Sequence, residues 1–145
     1  MTFCLESTII KPEKDKDINN IIILLHGYGG DGNDISILVS NWKRYLPNTI
    51  FICPNGHERC EINPSGYQWF DLTKDDSNYI LSESLKAEKK INKFVEELKD
   101  EYNLENKQII LSGFSQGCMM SINVGLTAKE AFGCIVGFSG KIINA

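Results

Sequence analysis

The chain has 145 residues, 42% of them apolar and 23% charged, enough for one domain with a buried core and unlike a disordered or fibrous chain. Its formal net charge is −4 and no basic run stands out along it, which argues against a nucleic-acid partner. Its five cysteines are odd in number, with none at metal-ligand spacing, which argues against a disulfide framework and a metal centre and for a reducing compartment.

In chain order, residues 2–10 predict a weak strand and residues 11–17 a charged turn holding Pro12. The β-branched run at 18–25 predicts a strand buried on both faces. A glycine-rich turn at 27–33 leads to a predicted helix over 34–46, with Ile35, Leu38, Val39, Trp42, Tyr45 and Leu46 at helical spacing and Asn33 as its cap. A short buried strand follows at 49–53. Residues 54–78 read as one long irregular stretch holding His57 and the aromatics Tyr67, Trp69 and Phe70; loops of this length inside a compact domain are usually functional or mobile. Residues 79–102 predict the strongest helix, with one apolar stripe and one charged face. Residues 108–111 predict a strand, 116–128 a helix and 132–138 a last buried strand. Four of the cysteines lie in or beside apolar segments, and Cys60 is the one expected to be exposed.

Strands alternating with helices imply a mostly parallel sheet with helices on both faces, a three-layer α/β sandwich forming a single domain over 1–145. In such a sheet, sites form at the carboxyl edge of the strands. The turn at His26, the stretch holding His57, and Ser115 all fall at that edge. The N-terminus has neither a basic start nor an apolar core of signal-peptide type. The longest apolar run, 21–25, is far too short to span a bilayer. A cytoplasmic location without stable membrane insertion is the expectation.

The most telling residues are Gly113-Phe114-Ser115-Gln116-Gly117. They join an apolar strand to a helix, and they match a nucleophile elbow: a serine at the apex of a strained turn, flanked by glycines that leave room for it. Ser115 is then the candidate nucleophile. The Gln116 N–H, at the start of the helix, is a candidate oxyanion donor. A second donor comes from the turn after a neighbouring strand, and Leu24-Leu25-His26-Gly27-Tyr28-Gly29-Gly30 provides one in the Tyr28 N–H. His26 reads as a structural residue that hydrogen-bonds this loop.

With these motifs the chain resembles the carboxylesterase/phospholipase family that includes the acyl-protein thioesterases, within the α/β-hydrolase fold. The matching pieces are LLHGYGG at 24–30, ICPNG at 52–56, WFDL at 69–72, GFSQG at 113–117 and VGFSG at 136–140. The resemblance implies a serine hydrolase that cleaves carboxylic esters or thioesters through an acyl-enzyme on Ser115, with Tyr28 and Gln116 as the oxyanion hole. Trp69 and Phe70 would lie near the acyl pocket. The implied substrates are a small acyl ester, a lysophospholipid or an acylated protein, and no metal or organic cofactor is implied.

One departure qualifies this. In the family the triad runs Ser, Asp, His, with the last two on loops after the strands that follow the VGFSG-like segment. No Asp or His follows Ser115 in this sequence, so the fold is expected to be an incomplete, C-terminally shortened α/β-hydrolase. His57 is the remaining substitute base, with Asp71, Asp75 and Asp76 in its loop. The alternative is a catalytically silent family remnant that acts as an acyl-binding or interaction module. Shortening would leave the strand at 132–138 as an exposed edge, and self-association through residues near 132–143, as a homodimer or by exchange of elements, is expected.

Overall fold

The computed structural model describes residues 2–143. Its centre is a five-stranded sheet of β1 (Ser7–Ile10), β2 (Asn20–Leu25), β3 (Thr49–Pro54), β6 (Ile109–Phe114) and β7 (Cys134–Phe138), in the order β1-β3-β2-β6-β7. All neighbours pair in parallel except β1, which runs antiparallel to β3 with Ile10 opposite Phe51. Ile21, Ile23, Leu24 and Leu25 on β2, and Ile50 and Ile52 on β3, are fully buried. That is the expected state of β-branched runs in a sheet covered on both faces.

The larger core cluster joins the sheet to α3 (Ser77–Tyr102) and α4 (Gln116–Thr127) through Ile91, Phe94, Leu98, Met120 and Val124. α3 begins two residues earlier than the apolar stripe suggests, because the Asp76 side chain accepts the Tyr79 N–H at 2.9 Å and caps it. A smaller cluster on the other face holds Ile22, Leu24, Phe51 and Cys53 against Ile35 and Val39.

Several sequence expectations are corrected. The helix expected over 34–46 is a chain of single turns: α1 (Gly32–Ile35), a 3₁₀ turn at Ser36–Leu38, α2 (Val39–Trp42) and a 3₁₀ turn at Lys43–Tyr45. Its cap is Asp31, which accepts the Asp34 N–H at 2.7 Å, rather than Asn33. The Ser36 and Ser40 hydroxyls bond the carbonyls of Asn33 and Ile37, three residues back, which favours tight turns over a continuous helix.

The stretch 54–78 is not wholly irregular, since β4 (Glu58–Arg59) and β5 (Tyr67–Gln68) form a two-stranded hairpin. That hairpin encloses Cys60, whose N–H donates to Gly66 O at 3.0 Å, so the cysteine expected at the surface is buried. The exposed cysteine is Cys134, because β7, expected from the sequence to be buried, is an edge strand with all five of its residues exposed.

Candidate active site

β6 runs between β2 and β7 and ends in a reversal at Ser115, whose φ of 55° and ψ of −115° lie outside the helix and strand regions. A non-glycine residue held there stores about 1–3 kcal/mol of strain and persists only when its surroundings fix it. They do so through backbone packing. A Cβ on Gly113 would meet the backbone of Gly117 and Cys118, and one on Gly117 would meet the carbonyls of Leu25 and His26. Strand, turn and helix therefore close on one another only with glycine at both positions. The Ser115 N–H donates to Phe138 O on β7 at 2.8 Å, and Ser115 O accepts the Met119 N–H at 3.1 Å in the first turn of α4. The serine is partly exposed at the carboxyl edge of the sheet.

The turn after β2 lies directly against it. A Cβ on Gly27 would stand 3.3 Å from Ser115 Cβ. Tyr28 N–H donates to no backbone carbonyl among the described residues. Gln116 opens α4, and the first N–H of a helix has no partner within it. The turn is held in shape by its neighbours. Gly29, at φ 82°, donates its N–H to Tyr67 O at 2.9 Å, and Tyr67 N–H returns to Gly30 O at 2.8 Å.

His26 is buried, and its imidazole is fully committed. Its Nε2 accepts the Gly56 N–H at 2.8 Å. The proton therefore sits on Nδ1, which donates to Gly27 O at 2.6 Å. Burial pushes its pKa below the ordinary histidine value, partly offset by the bond to Gly27 and by Asp31 and Asp34. The ring stacks on Trp69 with centroids 5.3 Å apart. His26 thus ties the turn at 27 to the loop at 56, the structural part the sequence assigns it.

Trp69 and Phe70 are fully buried. Trp69 Nε1–H donates to His26 O at 2.9 Å, and its backbone N–H donates to Gln116 Oε1 at 3.0 Å. Gln116 Nε2–H donates to Phe70 O at 2.7 Å. Phe70 lines a 660 Å³ concavity together with Leu72, Ile80, Met119, Ile142 and Ile143, whereas Trp69 is not part of its lining. The sequence points to the Gln116 N–H but gives no sign that its side chain fastens the aromatic segment to the serine turn. The signal that could have found it is polar: a glutamine at a helix start facing a WF pair.

Asp71, also buried, accepts the Thr73 N–H at 2.9 Å, the Thr73 hydroxyl at 2.8 Å and the Tyr28 hydroxyl at 3.2 Å. These bonds, the Thr73 amide first, hold its carboxyl below the usual range. The Tyr28 phenol is pushed above its ordinary value by burial, then by Cys60 and Asp71. Asp71 is therefore engaged with the turn after β2 rather than with a histidine.

His57 is 3.8 Å from Glu58 through Nε2, and its Nδ1 is buried without a hydrogen-bond partner among the described residues. Burial lowers its pKa, and the charges that act on it are Glu58 and, from α3, Lys90, Glu83 and Lys86. Among the described residues no histidine is hydrogen-bonded to Ser115, and no group of three or more His, Cys, Asp or Glu side chains could hold a metal ion.

This strand–turn–helix with a glycine turn against its serine has close parallels. Residues 6–145 match the phospholipase/carboxylesterase family model. The chain is 30% identical over 148 residues to acyl-protein thioesterase 1 of Schizosaccharomyces pombe, covering 97% of this chain and 63% of that protein. It is 29% identical over 129 residues to acyl-protein thioesterase 1 of Saccharomyces cerevisiae, covering 82% of this chain and 56% of that one. The crystal structure of esterase PE8 superposes with a TM-score of 0.89 at 34% identity, over 97% of this chain and 66% of the esterase. The chain thus spans less than two thirds of the length of these relatives. With the family model matched over nearly its whole length, the chain belongs to the phospholipase/carboxylesterase family and has its α/β-hydrolase fold.

Proposed function

We propose that Ser115 is the nucleophile of a hydrolase acting on carboxylic esters or thioesters, with the N–H groups of Tyr28 and Gln116 as oxyanion donors. The observation that carries this is the positive φ of Ser115 at a strand-to-helix reversal, with Gly27 packed against it. Attack of the Ser115 hydroxyl on an acyl carbonyl forms an acyl-enzyme and releases the alcohol or thiol; water then releases the acid. The amide hydrogens of two separate turns stabilise the oxyanion in both steps. Substrates of the class are small acyl esters, lysophospholipids and acylated proteins, and Phe70 borders the space for the acyl group.

The base decides the rate. In a serine protease, loss of the base lowers turnover by about 10⁶-fold. His26 has both ring nitrogens bonded, and His57 stands against Glu58. This arrangement favours a second reading, a silent acyl-binding module. Hydrolysis of p-nitrophenyl butyrate by the wild type and Ser115→Ala separates the two. Turnover abolished by the substitution supports the hydrolase, and a further loss in His57→Ala would make His57 its base. Equal rates in wild type and Ser115→Ala, with no fluorophosphonate labelling of Ser115, support the module.

The uncovered β7 supports a homodimer in which a second copy shields residues 132–143. Parallel strands are ordinarily enclosed, yet Ile135 and Val136 are each 36% exposed and Phe138 40%. Size-exclusion chromatography at micromolar concentration reads the outcome: a dimer supports the proposal and a clean monomer overturns it.

A further inference from the structure

At the amino edge of the sheet, opposite Ser115, the end of β1, the loop after it, the turn Lys43–Tyr45 and the start of β3 enclose a cavity of about 280 Å³. Its floor is apolar. Ile10 and Phe51 are register partners across β1 and β3, and Leu46 and Pro47 form one wall. Its rim is cationic: Lys11 and Lys16 come from one side, Lys43 and Arg44 from the other, against Glu13 as the only carboxylate in the lining. None of the four cations makes an ion pair among the described residues, whereas Lys86, Lys99 and Lys107 each pair with a glutamate. The chain carries a net −4 overall, so unpaired cations gathered around an apolar slot run against its composition. The sequence hides the cluster because its two halves are about thirty residues apart.

We propose that this cavity is a binding site for a single-chain amphiphilic carboxylate. The alkyl chain lies on Ile10 and Phe51, and the carboxylate meets the cations contributed by the two walls. The two chemistries are complementary. Removal of the chain from water supplies non-directional affinity, and a carboxylate among lysine and arginine donors forms charge-assisted hydrogen bonds. A neutral alcohol of equal length satisfies only the first requirement and acetate only the second. The site does not involve Ser115, which lies at the other end of the strands, so the proposal stands apart from the hydrolase reading.

Sodium octanoate is the probe, followed by amide chemical shifts and isothermal titration on the whole chain, with octanol and acetate as controls. The expected result is saturable octanoate binding in the millimolar range or tighter, with shifts at Ile10, Thr49 and Phe51. Affinity falls about tenfold or more in Lys43→Gln/Arg44→Gln and in Leu46→Gln, and is unchanged in Ser115→Ala. All the substituted side chains are at the surface, and circular dichroism confirms that the variants fold. Equal binding of octanol, shifts confined to Phe70 and Met119, an unchanged affinity in the double variant, or no saturation would each overturn the proposal.

Discussion

Trp69 donates its backbone N–H to the side-chain oxygen of Gln116 at 3.0 Å, and the Gln116 amide nitrogen donates in turn to Phe70 O at 2.7 Å. One carboxamide thus satisfies a donor and an acceptor on consecutive residues of another segment, and it does so while fully buried. Because Trp69 also bonds His26 O, the serine turn and the glycine turn share one fastening.

Gln116→Ala leaves two buried backbone groups without partners, each worth about 1–3 kcal/mol when orphaned. The expected loss of stability is about 2–5 kcal/mol, read from the urea midpoint. Gln116→Glu keeps the acceptor for Trp69 but turns a second carboxylate oxygen toward Phe70 O, so it too is destabilising above neutral pH. A shift of the midpoint smaller than that of an ordinary surface substitution would contradict the shared fastening.

Ser115→Gly and Ser115→Ala separate backbone strain from hydroxyl chemistry. Glycine occupies positive φ readily, so Ser115→Gly is expected to stabilise the fold by about 1 kcal/mol. Ser115→Ala keeps the Cβ and the strain, and its stability should match the wild type. Gly117→Ala drives a Cβ into the carbonyls of Leu25 and His26 and is expected to cost about 3 kcal/mol. Thermal denaturation of the three variants side by side tests the ordering.

Both histidines have pKa values lowered by burial. The unfolded chain then binds more protons than the folded one, and stability rises with pH across the affected range. The stability these groups contribute is present above the ordinary value of 6.5. It declines as pH falls from there toward their lowered folded values. Protonated His26 can no longer accept the Gly56 N–H, so the loop at 56 is the first to respond. Urea midpoints between pH 7.5 and 5 should fall in the wild type and fall less in His57→Gln.

If two copies meet at β7, a charge there should part them. Val136→Lys places an ammonium on an exposed edge, a device that natural sheets use against edge pairing. The variant should elute as a monomer at concentrations where the wild type is a dimer, with an unchanged far-ultraviolet spectrum. Co-elution of the two proteins would place the contact elsewhere.

The site was legible in the sequence wherever backbone crowding dictates the residue. Gly113, Gly117 and Gly27 sit where a Cβ meets other chain atoms, so their spacing carried the turn around Ser115 and its partner turn. The burial of β2 and β3 was legible from their β-branched runs. What was not legible depended on long-range pairing. The antiparallel β1 has no local mark, since register with β3 is set by contacts across some forty residues. Cys60 looked exposed because its neighbours are polar, and it is buried only because β4 and β5 fold back over it. The turns at 32–45 carry helical spacing, but serine hydroxyls within them favour tighter hydrogen bonding than spacing reveals. The side-chain part of Gln116 is visible only once residues 69 and 70 arrive beside it.

The bond from the Ser115 amide to the carbonyl of Phe138 couples the bend to the outermost strand. Whatever settles on that strand, tugging it or stiffening it, is felt by the hydroxyl's own peptide group. The proton on that nitrogen is therefore a built-in reporter: its exchange with solvent deuterium should slow when the rim of the sheet is occupied and quicken when it frays.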